Sequence, residues 1–459
     1  RVGAHGNDLV LRAGNGNHFR ISSGGLVGIG TNNPQAKLHV DGTIHQTGIE
    51  YPTIRPTLDL NFAATKVLDD RITFTRDSIA TYTDENGLLK YASNNVPRFD
   101  HDPTTGESLG LLIEESRLQR IPRSVKATDI NGNSSGTGWT LTANSGVSPD
   151  GTTTAVLLSQ TQALSNSAIL WWNGQMDTGR TFSFFVKHVS GSVNLHGQFG
   201  AGDVFTVNLS TEATNASSTS RIRDIKVVNY SNGWKRISIY AVDIGSAASE
   251  LVGGAVYLCM SSSASDVLLW GFQIEDGTFP TSYIPTLGST VTRAVETAKI
   301  TGTNFTDFYN QTEGTFFVEA DTINPLYNDA ITGFPGGNNN YTIIGTGQSP
   351  NRFQLRFDDT EPFQVLAFGP NSTTAITTGV SLTPTLRAKI AGAIKQNDVR
   401  GAAQGEIILT DTSFDMISPT SLFIGSLDGS SEILPGHVRK VSYYRQALPN
   451  AQLQGLTQQ

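Results

Sequence analysis

The fold class is decided by the run Leu268-Leu269-Trp270-Gly271-Phe272-Gln273-Ile274. Every second residue from Leu268 onward is apolar, and this period of two predicts a β-strand that places those side chains on one face. The run at 181–187, Thr-Phe-Ser-Phe-Phe-Val-Lys, shows the same alternation. Two sheets packed face to face would bury both runs. We therefore predict an all-β protein built from sandwiches.

Length and composition favour several cores of this kind. The chain has 459 residues, long enough for about three domains. It contains 47 glycines, and only 16% of its residues are charged. This composition is typical of many short strands joined by tight turns.

Charge and cysteine content exclude some function classes. The net charge is −8 and the pI is near 5.5, which removes the basic surface that nucleic acid binding requires. We also expect no membrane insertion, because no apolar run approaches ~18 residues and no signal peptide opens the chain. The single cysteine, Cys259, lies in an apolar run, and we predict that it is buried.

A short repeat occupies the N-terminal region. Residues 8–14, Asp-Leu-Val-Leu-Arg-Ala-Gly, are echoed ten positions later by residues 18–24, His-Phe-Arg-Ile-Ser-Ser-Gly. The pattern predicts two strands with a turn at 14–17, and four apolar residues on one face: Leu9, Leu11, Phe19 and Ile21. An isolated hairpin is marginal in water, so these strands need partners.

The next stretch, at 25–42, reads Gly-Leu-Val-Gly-Ile-Gly-Thr-Asn-Asn-Pro-Gln-Ala-Lys-Leu-His-Val-Asp-Gly. It resembles a segment common in bacteriophage tail fibres and related trimeric adhesive fibres. Alternate glycines allow close backbone approach, while Val27, Ile29, Leu38 and Val40 would point toward a shared axis. The resemblance implies a homotrimer. A phosphate-binding loop is disfavoured because no Gly-Lys-Ser/Thr follows.

Two further regions resemble known domains. The closing stretch at 273–286 and the Gly-Trp-Lys-Arg at 233–236 resemble a jelly-roll carbohydrate-binding module of phage fibres. The run at 436–444, followed by a predicted helix near Pro449, resembles a concanavalin A-like, laminin-G-like lectin fold. Here Asn397-Asp398-Val399 runs into 400–405 without the family's usual strand, which weakens transfer of a binding loop.

These resemblances imply four regions. We predict a trimeric β fibre shaft and connector at 1–58, a β-rich connecting segment at 59–122, a carbohydrate-binding-module-like jelly roll at 123–295 and a concanavalin A-like lectin sandwich at 296–459.

Sugar recognition needs a flat aromatic face and fixed polar groups. The candidate carbohydrate-binding residues that combine these are Trp171, Trp172, Asn173, Asn338, Asn339, Tyr341, Asp358 and Asp359. The competing interpretation places Trp171 and Trp172 in a core, as for Trp139 and Trp234. For the residues at 338–341 and 358–359 the alternative is a solvated turn.

No cofactor is predicted. The loops at 336–341 and 358–361 offer oxygen ligands that suit Ca²⁺, but no motif indicates a site. Asp100, Asp102, Thr104 and Glu107 also bring oxygen donors together, yet Gly106 falls one place late for a calcium loop, which favours a structural turn.

The implied function is attachment to host cell-surface carbohydrate by an extracellular, virion-borne tail fibre that is not an enzyme. Expected partners are two further copies of the chain, phage tail or baseplate proteins, and host polysaccharide or lipopolysaccharide. Two alternatives stay open. One is a tailspike-type depolymerase, which needs two carboxylates flanking a sugar groove. The other is a structural fibre spacer.

Overall fold

A computed structural model describes residues 2–5, 7–13, 16–42, 50–124, 135–136, 138–162, 179–199, 203–217, 222–241, 256–260, 264–323, 340–348, 351–358, 363–369, 373–378, 387–407 and 411–458. Within these ranges the secondary structure is almost entirely β, which confirms the predicted fold class. The longest described helix has eight residues.

The N-terminal region forms one five-stranded sheet. Its strands are β1 (Val2–His5), β2 (Asp8–Ala13), β3 (Gly16–Ile21), β4 (Val27–Ile29) and β5 (Leu38–Val40). All neighbours are antiparallel except β4 and β5, which run parallel. The predicted hairpin is confirmed, but its turn is shorter than expected because Gly16 and Asn17 already lie in β3.

The region after residue 58 contains short strands and one helical turn. They are β6 (Leu58–Asn61), α1 (Phe62–Thr65), β7 (Thr73–Thr75), β8 (Ala80–Thr83), β9 (Leu89–Ala92), β10 (Phe99–His101), β11 (Ser108–Ile113) and β12 (Arg117–Gln119). Asn61 accepts a hydrogen bond from the amide of Ala64 and so caps α1.

The first sandwich follows. Its strands are β13 (Ser135–Gly136), β14 (Trp139–Gly146), β15 (Ala155–Gln160), β16 (Arg180–Ser190), β17 (Asn194–Phe199), β18 (Asp203–Asn208), β19 (Thr214–Ala216), β20 (Ile222–Asn229), β21 (Lys235–Ala241), β22 (Val256–Met260) and β23 (Ser265–Asp276). A sheet of order β13-β14-β15-β23-β16-β21-β20 faces a smaller one of order β19-β18-β17-β22.

The last region supplies most of the second sandwich. Its elements are β24 (Val291–Arg293), β25 (Thr297–Thr301), α2 (Thr303–Thr306), β26 (Glu313–Thr322), β27 (Tyr341–Gln348), β28 (Asn351–Phe357), β29 (Phe363–Phe368), β30 (Thr373–Thr378), β31 (Ala388–Lys395), β32 (Asp398–Ala403), β33 (Glu406–Ile407), β34 (Ser421–Ile424), β35 (Gly436–Tyr444) and α3 (Asn450–Thr457). The helix α3 begins after Pro449, as predicted.

The second sandwich also takes strands from the region at 58–113. One sheet has the order β10-β11-β35-β26-β31-β32-β33, with β6 also paired to β35, and the other has the order β30-β29-β28-β27-β34-β25-β7. Leu58, Leu60, Leu111 and Ile113 are buried in the core between these sheets. The prediction that 59–122 is a connecting segment is therefore wrong. The first sandwich is inserted between strands of the second.

The run at 268–274 contains a bend. Gly271 has a φ of +64°, and the pairing of β16 with β23 shifts register between Ser183 and Phe185. Phe272 and Ile274 pack in the core of the first sandwich, whereas Leu268 and Trp270 lie in a separate cluster. The predicted single face is wrong, because a β-bulge switches the direction of the side chains.

That separate cluster covers the outer face of the large sheet. Trp270 packs against Phe185 and Tyr283, at ring-centroid distances of 5.6 and 4.6 Å. Leu89 from β9 belongs to the same cluster. The hairpin β8–β9 and the segment at 279–286 therefore bury the sheet on its second side.

Candidate functional site

The two sandwiches enclose a cleft of about 680 Å³. One wall comes from the outer side of β20 and β21, and a second from β10, β11, β26 and β35 of the second sandwich. The hairpin β8–β9 contributes Tyr82. This volume lies within the range of small-ligand sites, and its lining combines aromatic and charged groups.

A histidine held between two carboxylates forms the centre of the second-sandwich wall. His437 Nδ1 lies 2.7 Å from Asp321 Oδ1, and its Nε2 lies 3.1 Å from Asp100 Oδ2. Asp100 is paired with Gly110 on β11. Because glycine has no side chain, this residue does not separate the Asp100 carboxylate from β35. A Cβ at Gly110 would also lie 2.5 Å from the carbonyl oxygen of Val438, and its φ is +100°.

The two carboxylates keep this imidazole charged. Burial alone would lower the pKa of His437, but Asp321 and Asp100 outweigh burial and raise it to about 10. The group therefore acts as a fixed cation at neutral pH, bridging β10 and β26 across β35.

A second ion pair lies at the more exposed part of the second-sandwich wall. Glu107 pairs with Arg387 and also accepts from Arg439 Nη2 at 3.3 Å. Asp102 lies nearby in the lining, and its carboxylate accepts the backbone amides of Thr104 and Thr105 at 2.9 and 2.7 Å. The structure thus supports the structural-turn interpretation of this segment, and places it at the edge of a cleft.

The first-sandwich wall is formed by Lys226, Val228, Tyr230, Arg236 and Ser238. Arg236 donates to Ser183 Oγ at 3.0 Å and lies over the ring of Phe185. Burial raises the pKa of Tyr230. Burial lowers the pKa of Lys226, against a weaker opposing effect of Asp224.

Beneath the cleft lies a network of fully buried charges. Its members come from both sides of the inserted sandwich and have no side-chain exposure: Arg76, Arg98, Glu114, Arg293 and Glu296. Burial opposes ionisation of Glu114, but Arg293 and Arg98 outweigh it and hold its pKa far below the usual range. Glu114 also accepts from Ser282 Oγ at 2.6 Å. The network joins the region before the first sandwich to the region after it.

Two of the residues predicted as carbohydrate ligands are described. Tyr341 begins β27 and pairs with Phe357 on β28, so that Asp358 follows directly beside it. Asp358 is buried and accepts from Arg356 Nη2 at 3.0 Å. With its side-chain amide in the orientation that satisfies both neighbouring groups, Asn340 donates to the same carboxylate at 2.6 Å. The described residues of the two predicted loops, Asn340 and Tyr341 from one and Asp358 from the other, therefore lie together at one sheet end.

The other predicted ligands, Trp171, Trp172, Asn173, Asn338, Asn339 and Asp359, lie outside the described residues. Trp139 and Trp234 are buried, which confirms the core interpretation, and Trp234 Nε1 donates to the carbonyl of Val147 at 3.1 Å. Cys259 is also buried, as predicted, and burial raises the pKa of its thiol to about 11.

Sequence reasoning missed the cleft itself. Its residues are far apart in the chain, and the strands that carry them alternate in no distinctive way. One local signal was available, because Asp100, Asp102 and Glu107 stood out as a group of oxygen donors. In the described part of the chain, no group of three or more histidine, cysteine or acidic side chains is placed to hold a metal ion. No described helix is long and apolar enough to cross a membrane.

Comparisons with known proteins give structural matches only. No family model and no curated protein matches the chain. The carbohydrate-binding module of a Ruminococcus gnavus IT-sialidase, bound to α2,3 sialyllactose, matches with 15% identity and a TM-score of 0.26, over 32% of this chain and 84% of that one.

Two further matches are similarly remote. Domain 4 of an extracellular arabinanase from Geobacillus stearothermophilus, in complex with arabinotriose, matches with 11% identity and a TM-score of 0.27, over 40% of this chain and 84% of that one. A pentraxin from Limulus polyphemus matches with 10% identity and a TM-score of 0.24, over 31% and 68%. At these scores none of the three structures identifies a ligand or an activity for this chain.

Proposed function

We propose that this chain is the receptor-binding part of a bacteriophage tail fibre, which attaches as a homotrimer to carbohydrate on the host surface without cleaving it. The observation that carries the binding proposal is the cleft between the sandwiches. It offers the half-buried ring of Tyr82 and several fixed polar groups within one concave site. A ring that covers the apolar side of a sugar, with polar groups around it, is the arrangement that sugar binding needs.

The cleft carboxylates support binding over hydrolysis. Asp100 and Asp321 flank a charged His437, and Glu107 pairs with Arg387. A glycosidase needs one carboxyl group kept as an acid and another free to attack or to activate water. Arg387 lowers the pKa of Glu107, so this carboxylate is not kept as an acid. Such carboxylates can accept hydrogen bonds from the hydroxyl groups of a sugar.

The N-terminal sheet supports the trimer. Its register aligns two apolar rows across four strands, Leu9-Ile21-Val27-Leu38 and Leu11-Phe19-Ile29-Val40. Directly opposed residues share a face of a sheet, so these rows form one apolar surface. Leu9, Leu11, Ile29 and Leu38 are 44%, 39%, 40% and 57% exposed. Neighbouring copies would cover this surface and multiply weak sugar contacts into avidity.

The test is binding of purified protein to host cells and to their extracted polysaccharide. We expect adsorption, competition with phage attachment, and no release of reducing sugar ends. Tyr82→Ala should weaken binding at least tenfold. Tyr51→Ala, which removes an exposed ring outside the cleft, should not. Sugar release would instead indicate a depolymerase, and the absence of both binding and competition would indicate a structural spacer.

A further inference from the structure

Among the described residues that line the cleft, one cation differs from the other charged groups. Lys226 lies in the middle of β20, where Ile225 and Val227 pack toward the core of the first sandwich. Strand alternation therefore turns Lys226 to the opposite face, and there it lines the cleft. Its side chain is half-buried.

The other charged groups that line the cleft all have partners. Carboxylates are held by cations or backbone amides, and cations by carboxylates or a hydroxyl: Asp100 and Asp321 with His437, Glu107 with Arg387, Glu114 with Arg98 and Arg293, Asp102 with two amides, and Arg236 with Ser183. Across the described ranges, Lys226 makes no side-chain hydrogen bond and no ion pair. Asp224, two residues away, acts on it only through its electrostatic field.

A half-buried ammonium without a partner is costly, because it loses hydration and gains no hydrogen bond in return. An anionic ligand group would restore both the hydrogen bonds and the charge balance. Burial already lowers the pKa of Lys226 from its ordinary value, which fits a cation whose partner is not supplied by the described protein groups. The ring of Tyr82 lines the same cleft, where the apolar side of a sugar would rest.

We infer that the cleft takes an acidic glycan, and that Lys226 contacts its anionic group, a carboxylate or a phosphate. This inference rests on the proposed carbohydrate-binding function. It assigns a ligand class and a specificity-determining residue to the same cleft.

The test measures affinities of the whole chain for oligosaccharides of galacturonate, glucuronate and mannuronate, for their methyl esters, and for a phosphorylated mannan with its neutral parent. At least one acidic member should bind at least tenfold more tightly than its neutral counterpart. Binding to the carboxylated members would identify a uronate-type ligand, and binding to the phosphorylated mannan a phosphate-type one. Affinity should also fall as salt is raised, because the contact is ionic.

Substitutions then test whether Lys226 makes the contact with the anionic group. Lys226→Gln should weaken acidic-glycan binding at least tenfold, while Lys226→Arg should stay within about threefold of the parent chain, since it keeps the charge. Lys299→Gln serves as the matched control, because Lys299 is also a half-buried lysine on a strand, and it does not line the cleft.

Three outcomes would overturn the inference. They are equal affinity for neutral and acidic members, unchanged binding by Lys226→Gln, and host-cell binding with no affinity for any acidic member. Host-cell adhesion of the parent chain is measured in the same series, and where it accompanies any of these outcomes the proposed function stands. Loss of all host-cell and polysaccharide binding by the parent chain would remove the proposed function as well.

Discussion

Arg98 and Glu296 lie 198 residues apart in the chain, and Arg98 Nε donates to Glu296 Oε1 at 2.8 Å in a site from which solvent is fully excluded. Arg76 donates to the same carboxylate oxygen at 2.8 Å. Glu296 therefore pairs with two guanidinium groups that precede the first sandwich, and ties them to the strand region that follows it.

Removal of this carboxylate should be strongly destabilising. Glu296→Gln leaves three buried arginines with Glu114 as the remaining acidic member of the network. Breaking a buried pair by removing one partner costs roughly 3–5 kcal/mol. We expect a loss of that order in the free energy of unfolding, measured by urea denaturation. Glu85→Gln, at an exposed pair with Lys66, should change it by less than about 1 kcal/mol. Equal effects of the two substitutions would contradict the network's role.

The raised pKa of His437 should make the free energy of unfolding depend on pH between about 6.5 and 10. Its pKa is about 10 in the folded protein, because of Asp321 and Asp100, against 6.5 for the free group. Folding therefore favours the protonated form. The resulting stabilisation is complete below pH 6.5 and is lost as pH rises through 10, with a slope of at most about 1.4 kcal/mol per pH unit.

Urea denaturation of the parent chain and of His437→Gln at pH 7, 8 and 9 checks this dependence. The stability difference between the two proteins should shrink as pH rises, because only the parent chain releases the His437 proton when it unfolds in this pH range. A difference that stays constant between pH 7 and 9 would show that the charge of His437 does not contribute.

The apolar surface of the N-terminal sheet should control assembly. Leu11→Glu places a carboxylate within this surface, where burial against other copies would cost more than the contact gains. We expect the parent chain to be a trimer by light scattering and the variant to be a monomer. Val67→Glu changes an exposed apolar residue outside the sheet and should leave the trimer intact. A parent chain that is monodisperse and monomeric at micromolar concentration would refute the assembly.

A substitution at Asp358 distinguishes a ligand role of this residue from a structural role. Its carboxylate is buried and accepts from Arg356 and Asn340, so Asp358→Asn should lower the free energy of unfolding by roughly 1–3 kcal/mol. Asp77→Asn, at an exposed site, should have little effect. Glycan binding measured on the folded variant separates the roles. Weaker binding without a loss of stability would support the ligand role predicted from the sequence.

Local sequence patterns were enough to predict the all-β class, the apolar rows of the N-terminal repeat, the burial of Trp139, Trp234 and Cys259, and the helix after Pro449. Each of these follows from local periodicity or from one residue's preference for burial. Long-range packing sets three other features. It places β6, β7, β10 and β11 in the second sandwich, divides one strand between two clusters at the Gly271 bulge, and brings Tyr82, Lys226 and His437 into one cleft. Strand pairing joins residues hundreds of positions apart, and the hydrogen bonds that select one partner strand over another are the same for every sequence. Such choices depend on how whole sheets pack, which no local pattern encodes.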